Sequence, residues 1–196
     1  RRLAPIGMPG LLLAACGGGD GGGGTPSSAS TTVGGVAATG APIAGGNIVL
    51  HCQNSWNEGT TTDSNGQWSR VGPTANLPRA VKASVRGGGE SYFSFTTGSG
   101  SSIVTNITPL TSLALAKAGI VPDDTWFNAL NNAGLQALSG NLATAITSLA
   151  AALTAQSYTL PANFNPLASV FTATAGDDYD DLLEQLKAAV AAAGTD

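Results

Sequence analysis

Histidine and cysteine are scarce in this 196-residue chain, and their scarcity argues against several kinds of catalytic site. The one histidine, His51, is the only imidazole available to a Ser-His-Asp hydrolase, and it stands beside Cys52 in a predicted strand. Because adjacent strand residues point to opposite faces, we expect no shared proton between His51 and Cys52, which disfavours nucleophilic catalysis. A zinc site also lacks ligands at workable spacing.

Basic side chains are few as well: eight Lys and Arg stand against twelve Asp and Glu, for a net charge of −4. The basic residues are scattered singly, whereas binding to a phosphate backbone requires a basic face. We therefore expect no nucleic-acid partner. No pattern in the chain predicts a cofactor or a metal, and we expect neither.

Two acidic segments are candidate calcium loops, Asp177-Asp178-Tyr179-Asp180-Asp181 and Asp63-Ser64-Asn65-Gly66. Calcium requires six to eight oxygen ligands, and the second segment lacks the later bidentate glutamate. Carboxylates at a helix start cap its free amides, and Asp-x-Asn-Gly is common hairpin chemistry. We favour capping and a turn over metal binding. Glycoside cleavage would require a pair of acidic residues in a sugar-binding site. No aromatic platform flanks such a pair in this sequence, so we do not predict this activity.

The segment Leu13-Ala14-Ala15-Cys16 is followed by a glycine run that Asp20 alone interrupts before Gly24. Arg1, Arg2 and a short apolar stretch precede it. This arrangement resembles the lipobox of bacterial lipoproteins, and a short buried strand or core helix is the alternative. The resemblance implies that residues 1–15 are a truncated signal peptide, that Cys16 is lipidated, and that the lipid anchors the chain in a membrane. Gly17, rather than aspartate, implies the outer membrane of the cell envelope. The residues do not distinguish its periplasmic face from its outer surface.

Composition and periodicity divide the remaining chain into three parts. Residues 16–32 are rich in Gly, Ser and Thr and are expected to form a disordered tether. Residues 33–107 carry short alternating runs split by turn residues, which predict a β-sandwich. The predicted strands are Val33–Ala38, Asn47–Cys52, Gln67–Val71, Ala80–Val85, Ser91–Thr96 and Ser102–Ile107, with a weaker one at Thr60–Thr62.

Alternation assigns faces within the second predicted strand. Ile48, Leu50 and Cys52 fall on one face, and Val49 and His51 on the other. Trp68, in a later strand, either anchors the core or borders a surface site, and the core is favoured.

The runs Val36–Leu50 and Thr61–Trp68 resemble the carboxypeptidase regulatory-like domain, a transthyretin-like sandwich of bacterial surface lipoproteins. The resemblance implies an antiparallel sandwich of Ig/transthyretin-like type that serves as an accessory module without peptidase activity. Some relatives carry a second cysteine where this chain has Arg79, which implies that a disulfide has been lost here. Cys52 is then a buried free thiol, or else forms an intermolecular bridge.

Residues 108–196 switch to helical spacing and predict about four helices. The first has Thr108 as N-cap and Pro109 at its first position, runs to about Ala118 and buries Leu110, Leu113 and Ala114. The others begin near Pro122-Asp123-Asp124, span Ser139–Thr154, and span Asp178–Ala193. They either cover a sheet face or bury one another, and their short loops favour a small C-terminal α-helical bundle. The region near 142–155 is too short and too rich in threonine to cross a membrane.

Taken together, these patterns predict an α+β protein with three possible functions. The favoured one is a lipid-anchored, non-enzymatic envelope protein whose sandwich is a scaffold, adhesion or interaction module. The second is a glycan- or peptide-binding module that uses the aromatic residues Trp56, Trp68 or Tyr92. The third is an enzyme whose catalytic part lies outside a truncated chain.

Overall fold

The structure is a computed structural model that describes residues 29–53, 57–87 and 89–194. It has a mixed α+β fold. The strands are β1 (Ser30–Val36), β2 (Asn47–Cys52), β3 (Asn57–Thr61), β4 (Gln67–Pro73), β5 (Arg79–Ser84), β6 (Ser91–Phe95) and β7 (Ser102–Val104). The helices are α1 (Pro109–Lys117), α2 (Asp124–Ala129), α3 (Asn132–Ala155) and α4 (Asp178–Ala193).

The strands form two sheets, one in the order β4-β1-β7 and one in the order β3-β2-β5-β6, and neither closes into a barrel within the described residues. Most neighbours are antiparallel, but β1 and β7 run parallel, with Val33 opposite Ile103. The expectation of antiparallel strands is confirmed for four of the five strand pairs described and is wrong for β1 with β7. Five strands separate β1 from β7 along the chain, so no hairpin constrains their relative direction.

The four-stranded sheet is the central layer and is covered on both faces. Ile48, Leu50 and Cys52 pack against the three-stranded sheet in a cluster that includes Val33, Trp68, Val81 and Ile103. On the opposite face, Val49 packs into the helical core and the His51 ring lies edge-on to Phe127, with 5.7 Å between ring centroids. The predicted division of faces in β2 is confirmed, and the helices cover the outer face of this sheet.

Two strands begin three residues earlier than the sequence predicted. β1 starts at Ser30, so residues 30–32, assigned to the tether, belong to a strand paired with β4. Thr31 is fully buried, and its hydroxyl lies 2.8 Å from that of Thr74 and donates to the carbonyl of Gly100. β3 starts at Asn57 rather than Thr60. The first residues of these two strands show no apolar alternation that the sequence could reveal. Backbone pairing with a neighbouring strand defines where each strand begins.

Helix α1 is set by local signals at its beginning and by two partners along its length. Thr108 caps it in a reciprocal pair with Thr111, as the Thr-Pro sequence predicted. Side chains of Thr111 and Ser112 bond the backbone of Phe93 and so cover the edge of β6. Leu113, predicted to be buried, is 44% exposed, and Leu115 is fully buried instead. Because α1 contacts both β6 and α3, its buried face is displaced from the predicted stripe.

Helix α3 begins seven residues before the predicted Ser139, capped by Asn131, whose side-chain oxygen accepts the Gly134 amide at 2.9 Å. It has 24 residues, and an 18-residue window within it has a mean hydropathy of 1.3, which by length and composition alone would suffice to cross a membrane. The expectation that this region is too short was wrong. A core helix meets the same two criteria, but only 28% of this window is buried. One face of α3 packs in the core, with Leu135, Leu138, Leu142, Ala145, Leu149 and Leu153 buried.

Helix α4 has the predicted bounds. Asp177 caps its start, and Gly194 ends it with φ +70°, a conformation that favours glycine. Tyr179, Leu182 and Leu183 are buried, but Val190, near the other end of the helix, is 51% exposed. The helix therefore leaves the core after Leu186, since residues 187–194 are exposed.

Candidate functional site

Of the aromatic residues proposed to face a ligand, two pack in or against the core and one lies outside the described residues. Trp68 is 5% exposed and belongs to the core between the sheets. Tyr92 is half-buried against the same core, and its hydroxyl donates to Glu90 at 2.6 Å. Burial and this bond raise the pKa of Tyr92. Trp56 and the predicted lipidation residue Cys16 lie outside the described residues.

His51 and Cys52 do not form a catalytic pair. They lie on opposite faces of β2, with His51 against Phe127 and Cys52 among the residues between the sheets. Cys52 is a fully buried free thiol, as the sequence favoured. Burial raises its pKa to about 11; Arg79 opposes this shift and Glu58 adds to it. A thiol that keeps its proton at neutral pH is a poor nucleophile.

A largely buried polar cluster, made of Glu58, Arg70, Asn76 and Arg79, lies at the end of the two sheets where β1 begins. Arg79 is fully buried, and its Nη2 donates to the Pro73 carbonyl at 3.0 Å. Its Nε and Nη1, and the Asn76 side-chain nitrogen, have no hydrogen-bond partner among the described residues. Glu58 is 6% exposed and accepts a bond from Nε of the half-exposed Arg70 at 3.3 Å. This ion pair joins β3 to β4, one strand from each sheet.

Sequence reasoning missed Glu58 and treated Arg79 only as a replaced cysteine. The available signal was the alternation in β3, where Glu58 is the one buried residue and the half-buried Thr60 shares its face. A lone buried carboxylate demands a charged or hydrogen-bonding partner, because unpaired burial of a charge is costly. The cluster accounts for how the two sheets are joined at this corner.

An open groove lies between the loop 161–170 and the start of α4, with a volume of about 700 Å³. Tyr179 forms part of it, held by a 2.8 Å bond from its hydroxyl to the Pro166 carbonyl and by a ring stack on Phe171 at 4.3 Å. Burial raises the pKa of Tyr179, so this phenol stays protonated and neutral. The exposed side chains of Asn163 and Asp178 line the groove. These two polar groups make the groove the candidate ligand site.

Two acidic residues beside the groove, Asp177 and Asp181, accept hydrogen bonds from backbone amides. Asp177 Oδ1 accepts from the amides of Tyr179 and Asp180, while Oδ2 accepts from Thr172. Asp181 accepts from the Gly176 amide at 3.0 Å. The capping interpretation of Asp177 is therefore confirmed. Across residues 29–53, 57–87 and 89–194, no three His, Cys, Asp or Glu side chains converge to hold a metal ion.

The other candidate calcium loop is a turn. Asp63 Oδ1 accepts from the amides of Asn65 and Gln67 at 2.8 and 2.9 Å, and Gly66 has φ +73°. A Cβ at Gly66 would stand 2.4 Å from the Ala37 carbonyl, so the position also requires the absence of a side chain. The carboxylate shapes the connection between β3 and β4.

In comparisons with known proteins, no family model matches the chain, and no significant match appears among curated proteins or solved structures.

Proposed function

We propose that this chain is a lipid-anchored cell-envelope protein, without enzymatic activity, whose folded body serves as a scaffold or interaction module. The observation that carries the proposal is the sequence Leu13-Ala14-Ala15-Cys16 with the glycine run that follows it. Three acyl chains on one cysteine would give stable anchoring, since a single chain binds a bilayer only marginally. The outer membrane is the proposed location, from the glycine at position 17.

The proposal gives the folded body an orientation. β1 begins at Ser30, so a tether running from Cys16 has 14 residues in which to reach it. A glycine-rich chain of this length spans roughly 20 Å on average. The end of the sandwich that contains Ser30 would then lie nearest the bilayer. The loops 40–46 and 63–66, at the opposite end, would face a partner.

The test is membrane fractionation of the protein expressed from its natural reading frame in a Gram-negative host. We expect Cys16→Ser to move the protein from the membrane to the soluble fraction. Cys52→Ala, which alters the other cysteine, is the matched control and should stay with the membrane. Retention of the Cys16→Ser protein in the membrane would refute the anchor.

We also propose a finer description of the fold, in which the two sheets form a transthyretin-like sandwich of the carboxypeptidase regulatory-like kind and the helices form a small bundle. Support comes from the three- and four-stranded sheets, from the Asp63–Gly66 turn between β3 and β4, and from the packing of α1 on α3. Such a domain would be an accessory module. An experimental structure superposed on domains of that family tests this description.

A second candidate function is glycan or peptide binding, favoured by the groove at the start of α4. Its polar side chains would serve neutral hydroxyl or amide groups, and it does not depend on the predicted aromatics. Titration of the protein with panels of oligosaccharides and peptides, followed by NMR chemical shifts, tests this function. Shifts confined to the groove and abolished by Asp178→Ala, but not by Asp124→Asn on α2, would support it. A panel without such shifts would exclude the tested ligand classes.

A further inference from the structure

Asp180 is a buried carboxylate, and one of its two oxygens has no hydrogen-bond partner in the described part of the chain. It stands in the first turn of α4, is 3% exposed, and its Oδ1 has no hydrogen-bond partner among the described residues. A helix start ordinarily favours a negative charge, because free amides and the helix dipole stabilise it. Here both of the nearest free amides, those of Tyr179 and Asp180, already donate to Asp177. Asp180 therefore lacks the usual compensation for its position.

The charges around Asp180 are mostly of its own sign. The carboxylates of Glu184, Asp177 and Asp181 act on it, and the single opposing charge is that of Lys187. Lys187 is 58% exposed and lies 3.8 Å from Glu184.

The segments that face this part of α4 bring no compensating charge. Glu184 lies against Gly40, where a Cβ would stand 2.4 Å from its Oε1. Residues 36–42 contain no acidic, basic or histidine side chain, and neither do residues 161–176, whose Thr172 bonds the cap Asp177. The charges that act on Asp180 therefore all belong to α4 and its cap.

We propose that the docking of the first turns of α4 is proton-linked, with Asp180 as the group that takes up the proton. In the protonated form Asp180 is neutral and costs little to bury. In the ionised form it is an unpaired buried charge beside three other carboxylates, an arrangement that favours release of the helix end into water. Since Asp177, Asp178 and Tyr179 also line the groove, release would change the groove as well.

The direction of the pH dependence follows from the environment. Burial, with Glu184, Asp177 and Asp181 adding to it, raises the pKa of Asp180, and Lys187 opposes the shift. The docked helix end therefore binds the proton more tightly than the released one. Docking is favoured at pH values below the ordinary pKa of an aspartate and weakens as the pH rises through the raised value.

Hydrogen exchange of the full chain, followed by mass spectrometry from about pH 4 to about pH 8, tests the proposal, because this range brackets the ordinary carboxyl pKa and neutrality. Expressing the exchange rates as protection factors removes the intrinsic pH dependence of amide hydrogen exchange. In the unaltered protein we expect the protection of α4 to fall with rising pH while that of α3 stays constant. In Asp180→Asn, which mimics the neutral acid, α4 should keep its protection across the range. Asp178→Asn, an exposed acid of the same turn, should behave as the unaltered protein does.

A second variant tests the proposal even if Asp180→Asn does not fold. Glu184→Gln removes the neighbouring charge that most raises the pKa of Asp180, so the docked acid would ionise closer to its ordinary pKa, and the loss of α4 protection with rising pH should be smaller than in the unaltered protein. The same pH dependence in Asp180→Asn and in the unaltered protein would overturn the proposal. So would an α4 protection that does not change with pH, or a Glu184→Gln profile that coincides with the original.

Discussion

Cys52 and Arg79 lie directly opposite each other on the antiparallel strands β2 and β5, and both are fully buried at the end of the sandwich. Opposite residues in such a pair have Cα atoms about 4.5 or 5.5 Å apart. Disulfides span Cα separations of about 4.4–6.8 Å. The register therefore places Arg79 where a cysteine would be within reach of Cys52.

We expect Arg79→Cys to form a disulfide with Cys52 under oxidising conditions. Peptide mass spectrometry after alkylation of the unfolded protein measures it, and Ser84→Cys, at the far end of β5, is the control that should leave Cys52 free. Recovery of Cys52 as an alkylated thiol in the oxidised Arg79→Cys protein would show that the side chains diverge despite the register.

The Cys52 thiol should be unreactive in the folded protein. Because burial raises its pKa to about 11, little thiolate exists at neutral pH, and the core shields the sulfur from reagents. We expect iodoacetamide to alkylate Cys52 far more slowly in buffer than in urea at the same pH, as peptide-resolved mass spectrometry would report. Equal rates in the two conditions would mean that the thiol is accessible in the native state.

The same thiol gives a pH dependence of stability. Folding favours its protonated form, so its contribution to stability is complete below the pKa of the unfolded thiol and is lost as the pH rises toward about 11. Urea unfolding of the original protein and of Cys52→Ala should therefore show a difference in unfolding free energy that changes in this alkaline range. A difference that is constant there contradicts the predicted linkage.

Leu113 and Leu115 offer a matched pair on α1, since one is 44% exposed and the other fully buried. Leu115→Ala should lower the free energy of unfolding by about 2–5 kcal/mol, because it leaves a cavity in the core. Leu113→Ala should cost clearly less, as most of its surface already contacts solvent. Urea denaturation of both variants measures the two costs. A larger cost for Leu113→Ala than for Leu115→Ala would mean that Leu113 lies on the buried face, as the sequence predicted.

Thr108 combines a helix cap with a tertiary contact. Its hydroxyl accepts the Thr111 amide at 3.3 Å and lies 3.2 Å from the hydroxyl of Tyr179 on α4. Thr108→Ala should lower the unfolding free energy by about 1 kcal/mol or somewhat more, the usual cost of losing a cap. Thr108→Ser keeps the oxygen and should cost less, and equal losses for both variants would show that the methyl group, not the hydroxyl, matters.

Features fixed within a few residues could be predicted from the sequence. The bounds of β2 and α4 and the caps at Thr108 and Asp177 matched the structure, because alternation, capping side chains and a terminal glycine act over one or two turns of chain. Of the candidate site, the sequence indicated the acidic start of α4. The groove could not be predicted, since its other wall is the loop 161–170, which the fold brings to α4.

The sequence by itself determined the types of element, their order and the bounds of β2 and α4, along with the motif at Cys16 on which the proposed anchor depends. Only the tertiary structure decided the parallel pairing of β1 with β7, the early starts of β1 and α3, the burial of Leu115 in place of Leu113, and the pairing of Glu58 with Arg70. The physical reason is that local signals depend on neighbours along the chain. Strand partners, buried faces and charge pairs depend on surfaces that meet only after the chain has folded.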